Sequence, residues 1–349
     1  MINYSYHYKT RMSSEPLFFY PKRLTMSVNA ASLQRHLGNY DEGLPGPLVI
    51  LIGAMHGNEL AGVKAIDLVL KMLQVEHVTK PDFLFKGRLV SFSGNLHAAR
   101  EGMRFIDRDL NRLWNSEHLE KLRSGKISPT CAEDYELMEL SEIIEKEINT
   151  YTGDQIVLLD LHTTSAEGGI FAVPAEKDSS RGLALGLGAP VVDGLLTHLN
   201  NTCLQYFSTY FTEKNLDAVS FESGQHEDPA SVYVAIAAII NLLRSVGCVE
   251  DHDVESRHDT ILKKHSAGLP RFSTLEEKHS ILPEDQFVMK PGFHNFQKVL
   301  KGEVLATDVN GPITAPEDLM VLMPLYQSKG NDGYFLIRPD EKKGYFEGV

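Results

Sequence analysis

The stretch Gly53-Ala54-Met55-His56-Gly57-Asn58-Glu59 constrains this chain more than any other. It follows an apolar run, Pro47-Leu48-Val49-Ile50-Leu51-Ile52, and precedes a helical pattern from Leu60 to Leu70. A buried strand therefore turns into a helix here, the repeating unit of an α/β sheet. His56 and Glu59 are three positions apart, so on the first turn of a helix predicted over 58–74 both project to one side. Glycines at 53 and 57 let the backbone turn tightly beside them.

A second apolar run, Gln155-Ile156-Val157-Leu158-Leu159-Asp160-Leu161, leads into His162-Thr163-Thr164. In an open α/β sheet, ligands gather beyond the carboxyl ends of strands. His56 and His162 both lie just past such ends and can be neighbours in space. Two histidines and one glutamate, with a fourth position open, form the catalytic rather than the structural zinc pattern, with one Zn2+ per chain. Each residue has a plainer use when taken singly. A histidine after a strand often does no more than hydrogen-bond in a loop, and Glu59 can serve as an acidic residue of a helix N-terminus. The equivalent placement of the two histidines favours the metal.

Composition narrows the partners. The formal charge is −13, from 34 Lys and Arg against 47 Asp and Glu, which argues against nucleic acid and gives no basic face for a membrane surface. Any anionic substrate needs local arginines. The cysteines, Cys131, Cys203 and Cys248, are too few and too scattered for a disulfide framework or a C-x-x-C site. The first residues lack an apolar signal region and no run approaches a membrane span, so a cytoplasmic protein is expected. A homo-oligomer is compatible with all of this.

From Pro47 onward strand and helix patterns alternate. Strands are predicted at 47–53, 88–94, 155–161, 170–174 and 217–222, and helices at 58–74, 133–149 and 229–246. The helix at 133–149 shows an apolar face through Leu137, Met138, Leu140, Ile143, Ile144 and Ile148. Residues 1–45 read as an irregular leader with at most one strand. After about residue 249 a polar connection, 251–259, gives way to short strand-like runs at 286–289, 304–306, 320–323 and 334–337. Turn signals separate them at Lys290-Pro291-Gly292, Asn310-Gly311-Pro312 and Asn331-Asp332-Gly333. The expected fold class is α/β, a mostly parallel or mixed sheet with helices on both faces, followed by a smaller all-β unit. The expected division is a catalytic domain at 1–249 and a β-rich C-terminal domain at 250–349.

Between the histidines lies Arg104-Phe105-Ile106-Asp107-Arg108-Asp109-Leu110-Asn111-Arg112, dense in arginine and aspartate after the strand at 88–94. Arginine offers a planar fork suited to carboxylates. A charged surface loop has the same composition. In order along the chain, the motifs G-x-x-H-G-N-E, R-x-x-D-x-D-L-N-R, D-L-H-T and a strand ending E-x-G resemble the succinylglutamate desuccinylase/aspartoacylase family, which is related to the zinc carboxypeptidases. The likeness covers 47–245, and the tail from Gly292 to Pro324 is similar to that family's β domain.

The resemblance implies a role for each matching residue. His56, Glu59 and His162 would bind zinc. Glu222 would act as general base and then acid, and Arg104 would polarise the scissile carbonyl. Asn111 and Arg112 would hold a substrate carboxylate. The implied reaction is hydrolysis of the amide bond of a small anionic N-acyl amino acid or a related amide. Asp160, two residues before His162, is placed to orient an imidazole. Asp107 and Asp109 read as partners that lock the arginine loop, and His226 as a loop residue near Glu222. The family also uses an arginine about ten residues before the base and a tyrosine from the C-terminal domain. Here Lys214 is the nearest cation in Tyr210–Asn215, and Tyr326 and Tyr334 lie in the corresponding C-terminal region. Two other classes compete with the deacylase: a zinc carboxypeptidase acting on small peptides, and a metal-binding protein without catalysis. A lipoyl- or biotinyl-carrier role for the tail is disfavoured, since the turn Asp308-Val309-Asn310-Gly311-Pro312 has no lysine.

Overall fold

A computed structural model describes residues 32–254 and 257–348. Of the leader expected over 1–45, the part before residue 32 lies outside the described residues, as does part of the expected connection at 251–259; the remainder of the leader holds one whole strand, His36–Asp41, and the start of the next. The strands are β1 (His36–Asp41), β2 (Leu44–Gly53), β3 (Lys86–Ser93), β4 (Ile156–Thr164), β5 (Phe171–Pro174), β6 (Val191–Asp193) and β7 (Leu216–Gln225). There follow β8 (Phe272–Ser280), β9 (Val288–Met289), β10 (Gln297–Val299), β11 (Val304–Asp308), β12 (Gly311–Thr314), β13 (Leu319–Leu322) and β14 (Asp332–Pro339). The helices are α1 (Ala61–Thr79), α2 (Leu96–Glu101), α3 (Ser116–Arg123), α4 (Ala132–Thr150), α5 (Asp178–Gly186), α6 (Leu195–His198), α7 (Cys203–Tyr210), α8 (Ala230–Ser245) and α9 (Arg257–Ser266).

The described residues form an eleven-stranded mixed sheet in the order β1-β3-β2-β4-β7-β5-β6-β8-β14-β13-β10. Its centre, β3-β2-β4-β7, is parallel. A separate three-stranded sheet, β12-β11-β9, is antiparallel. The C-terminal strands β8, β14, β13 and β10 extend the large sheet past β6.

Alternation along the central strands builds a core on each face. Val49, Leu51, Val157 and Leu159 point to the side covered by α1 and α8. Leu48, Ile50, Ile52, Ile156 and Leu158 point to the side covered by α4 and α7, where Leu137, Leu140, Ile144 and Ile148 of α4 meet them. Every residue of β4 is buried, as expected for a central parallel strand. This two-sided burial holds the ends of β2 and β4 in fixed register, with Ile52 opposite Asp160 and Gly53 opposite Leu161.

Several expectations are corrected. The helix after β2 starts at Ala61 rather than 58, because 54–60 is a turn closed by the Glu59 amide donating to the His56 carbonyl at 3.0 Å. Residues 257–266, within and beyond the expected polar connection, form α9. The elements β6, β8, β10, β12, α2, α3, α5, α6 and α7 have no counterpart among the predicted ones.

The turn is wedged against α2. The Gly57 amide donates to the Arg104 carbonyl, and a Cβ at 57 would stand 2.2 Å from the Ala98 carbonyl carbon and 2.3 Å from the Ala99 nitrogen. Those are backbone atoms and cannot step aside. Gly57→Ala should therefore destabilise the fold by about 1–3 kcal/mol through overpacking, read as a fall in Tm and in bound metal. Gly182→Ala is the control. It lies in α5 with nothing within 4 Å of its added Cβ, and should stabilise by up to about 1 kcal/mol.

Candidate metal centre and active site

Glu59 is 2 % exposed and sits between two imidazoles. Its Oε1 lies 2.9 Å from His56 Nδ1, and its Oε2 lies 3.1 Å from His162 Nδ1. The ligand atoms of His56, Glu59 and His162 all fall within 4.8 Å of one another. Oε2 also accepts the Thr163 amide at 3.0 Å, which pins the carboxylate to the end of β4. Burial alone would raise the Glu59 carboxyl, but His56 and then His162 pull it well below the usual range.

The outer nitrogens of both imidazoles are also held. Asp160 Oδ2 lies 2.8 Å from His162 Nε2, and Asp109 Oδ1 lies 3.1 Å from His56 Nε2. A carboxylate on the far nitrogen fixes ring orientation and strengthens the near nitrogen as a ligand. Burial opposes charge on His162, yet Asp160 and then Glu59 hold its pKa well above the ordinary value. The donor set suits a divalent metal: two nitrogens and one carboxylate, mutually close, buried and backed by acids.

The arginine loop is held from beneath. Glu133 near the start of α4, fully buried, accepts the amides of Ile106, Asp107 and Arg108 and the Asn95 side chain. This orders 104–112 although the segment is strongly charged. Arg104 reaches back into the centre, with Nη1 3.2 Å from Glu59 Oε1 and Nη2 3.1 Å from Asp109 Oδ2. Burial would lower the Arg104 pKa, but Asp109 and then Glu59 raise it. Asp109 thus bridges an imidazole and the loop, beyond the locking role expected for it. Asp107 points away from the centre, and its Oδ2 accepts the Ala132 amide at the start of α4.

Glu222 lies on β7 directly opposite His162 on β4. It lines the same cavity as the cluster, and its Oε2 is buried with no hydrogen-bond partner among the described residues. Burial chiefly, opposed by His162 and aided by Glu59, pushes its pKa up to about 8. Asn111 Oδ1 accepts the Cys203 amide at 2.9 Å, which turns its NH2 group the other way. Arg112 Nη2 donates to Asp332 Oδ2 at 2.8 Å. Both residues line the cavity.

The cavity has a volume of about 120 Å³, on the scale of one small metabolite. The C-terminal part of the chain walls one side of it through Met323, Leu325, Gln327, Asn331, Asp332 and Phe335. Besides the Arg112–Asp332 pair, contacts that tie that wall to the rest of the site include Lys329 Nζ donating to the Phe105 carbonyl at 2.9 Å, Asn58 Nδ2 donating to Gln327 Oε1 at 3.4 Å and the Tyr326 amide donating to Ser165 Oγ at 3.2 Å.

Other expected residues lie elsewhere. Lys214 does not line the cavity, nor does any tyrosine among its described lining residues. The Tyr326 hydroxyl donates to the Lys290 carbonyl, and Tyr334 is buried against His279 with ring centroids 5.0 Å apart. His226 does reach the cavity, its Nδ1 2.7 Å from Thr163 Oγ1. In the sequence Asp332 reads only as part of an Asn-Asp-Gly turn, and the leucines of 195–199 do not stand out. Neither carries a pattern that would mark it from sequence.

A model of the succinylglutamate desuccinylase/aspartoacylase catalytic domain matches residues 45–184. Succinylglutamate desuccinylase of Pseudomonas fluorescens (strain Pf0-1) is 26% identical over 284 residues, which is 77% of this chain and 74% of that protein. Succinylglutamate desuccinylase of Ectopseudomonas mendocina (strain ymp) is 25% identical over 321 residues, 87% of this chain and 86% of the relative. The fold is shared with the crystal structure of succinylglutamate desuccinylase from Vibrio cholerae, at a TM-score of 0.59 and 17% identity, covering 84% of this chain and 82% of the other. It is shared also with that from Chromobacterium violaceum, at a TM-score of 0.57 and 18% identity, covering 90% and 96%. The ordered motifs, the fold and the His-Glu-His cluster agree with that match: residues 45–184 carry a catalytic domain of the succinylglutamate desuccinylase/aspartoacylase type, a family of metal-dependent deacylases.

Proposed function

We propose that this protein hydrolyses the amide bond of a small N-acyl amino acid, with one zinc ion held by His56, Glu59 and His162. The observation that carries the reading is Glu222. It is a carboxyl with a buried, unpartnered oxygen and a pKa pushed up to about 8, opposite a metal-ligating histidine in one cavity. A general base works best with a pKa near the working pH.

Zinc, when bound, supplies a Lewis acid that brings the pKa of a water towards about 7. Glu222 takes a proton from the attacking water as its oxygen bonds to the acyl carbon. Glu222 then gives that proton to the amide nitrogen as the carbon–nitrogen bond breaks, leaving a carboxylic acid and an amine; the water's second proton passes from the acid to the amine or to solvent, giving a carboxylate and an ammonium. Arg104, held by Glu59 and Asp109, presents fixed positive charge to the carbonyl oxygen as it gains charge. The Asn111 NH2 group, turned by the Cys203 amide, and Arg112 hold the substrate carboxylate. The wall built by 323–335 narrows the cavity to small substrates and favours this reading over a peptidase with an open groove. Asp160 and Asp109 set the orientation of the two imidazoles.

The reading is tested by amine release from N-acyl amino acids with the zinc-loaded protein. Glu222→Gln should keep full zinc content and lose about 10²–10⁴-fold in kcat; retained turnover would remove Glu222 from the mechanism. His56→Ala should fail to retain stoichiometric zinc on gel filtration. Asp160→Asn should weaken zinc binding about 10–100-fold without abolishing it, measured by competition with a chromogenic chelator. Unchanged affinity in both variants would sink the ligand assignment.

A further inference from the structure

Charge and polarity divide the cavity. Among its described lining residues the lysines and arginines are Arg104 and Arg112, against the carboxyl groups of Glu59, Asp109, Asp160, Glu222 and Asp332. Arg104 is committed to Glu59 and Asp109. Arg112 is half committed, since Nη2 donates to Asp332 and Nη1 to the Asn111 carbonyl. Lys278 Nζ stands 3.5 Å from the other Asp332 oxygen and holds that carboxylate in place from outside the cavity lining. The site can therefore pair one substrate carboxylate, at Arg112. A second would face acids with no further lysine or arginine among the described lining residues to meet it, and a desolvated unpaired charge is costly.

The rest of the wall is apolar. Val173, Leu195, Leu196, Leu199, Leu204 and Phe335 line the cavity, each 8% exposed or less. Leu195, Leu196 and Leu199 come from α6 and the residue after it, and Phe335 from β14, three residues after Asp332. Each methylene buried on such a wall is worth roughly fourfold in binding.

We propose that the substrate is a monocarboxylic N-acyl amino acid bearing an aliphatic group, and that Asp332 is a specificity residue that excludes a second carboxylate. This rests on the deacylase reading above and narrows it. Arg112 takes the carboxylate, the leucine wall takes the aliphatic group, and Asp332 both limits Arg112 to one partner and repels further anions.

The test reads binding, so that it stands apart from turnover. Isothermal titration of the zinc-loaded Glu222→Gln protein compares N-acetylleucine and N-hexanoylglycine with N-acetylaspartate and N-succinylglutamate. The aliphatic monocarboxylates should bind at least tenfold tighter than the acids with more carboxylates. Adding Asp332→Asn should narrow that gap at least fivefold by improving the polyacids. Leu196→Ala should weaken the aliphatic ligands several-fold and leave the polyacids unchanged. Equal or tighter binding of the polyacids, no binding of any ligand, or a gap that Asp332→Asn leaves untouched would overturn the proposal. Wild-type protein that binds the aliphatic ligands without cleaving them would sink the deacylase reading alone. Active enzyme that prefers the polyacids would sink the specificity alone. Whichever of N-acetylleucine and N-hexanoylglycine binds tighter tells whether the wall receives the side chain or the acyl chain.

Discussion

A carboxylate buried between two imidazoles is costly unless every participant has a partner, and the architecture around Glu59 supplies them. His56 and His162 flank it, the Thr163 amide donates to it, and Asp109 and Asp160 engage the outer nitrogens. These partners come from three separate stretches of chain. Their convergence depends on β2 and β4 being parallel neighbours locked by apolar layers on both faces. A slip of one residue in β4 would send Asp160 and His162 to the opposite face. The depth of the core therefore serves the chemistry directly, because it removes the freedom that would let these groups relax apart.

The same constraint extends to the loop that carries Arg104, Asn111 and Arg112. Its charges would favour a solvated surface loop. The buried Glu133 carboxylate instead gathers three successive amides, so the backbone is ordered independently of its own side chains. The C-terminal strands then close the remaining side. They bring Asp332 and Phe335 to the cavity while drawing Tyr326 and Tyr334 into contacts elsewhere. Groups that line a cavity around a shared fold commonly set its specificity.

Much of this is legible in the sequence where local pattern and tertiary role coincide. The strands at 47–53 and 155–161 are long apolar runs bounded by polar residues, and they are the centre of the sheet. The helix at 133–149 has a clean apolar stripe and is α4 within one residue at each end. Where local pattern is silent, sequence reasoning falls short. The turn carrying His56 and Glu59 resembles a first helical turn because both place i and i+3 on one side, and only the hydrogen bond from the Glu59 amide tells them apart. The helix α6 has four residues, too few for periodicity. Asp332 sits in a turn-like Asn-Asp-Gly, and its pairing with Arg112, 220 positions away, exists only in the folded chain. Long-range electrostatic partners of this sort leave no mark in a single sequence.

Everything proposed for the chemistry requires that His56, Glu59 and His162 hold one zinc ion together. X-ray absorption at the zinc edge of the stoichiometrically loaded protein reads that coordination without recourse to activity. The expected spectrum has a shell of nitrogen and oxygen only, at about 2.0–2.1 Å, with outer-shell scattering from two imidazoles that falls to one in His162→Ala. Sulfur at about 2.3 Å, or a spectrum with no imidazole contribution, would contradict the three-residue site.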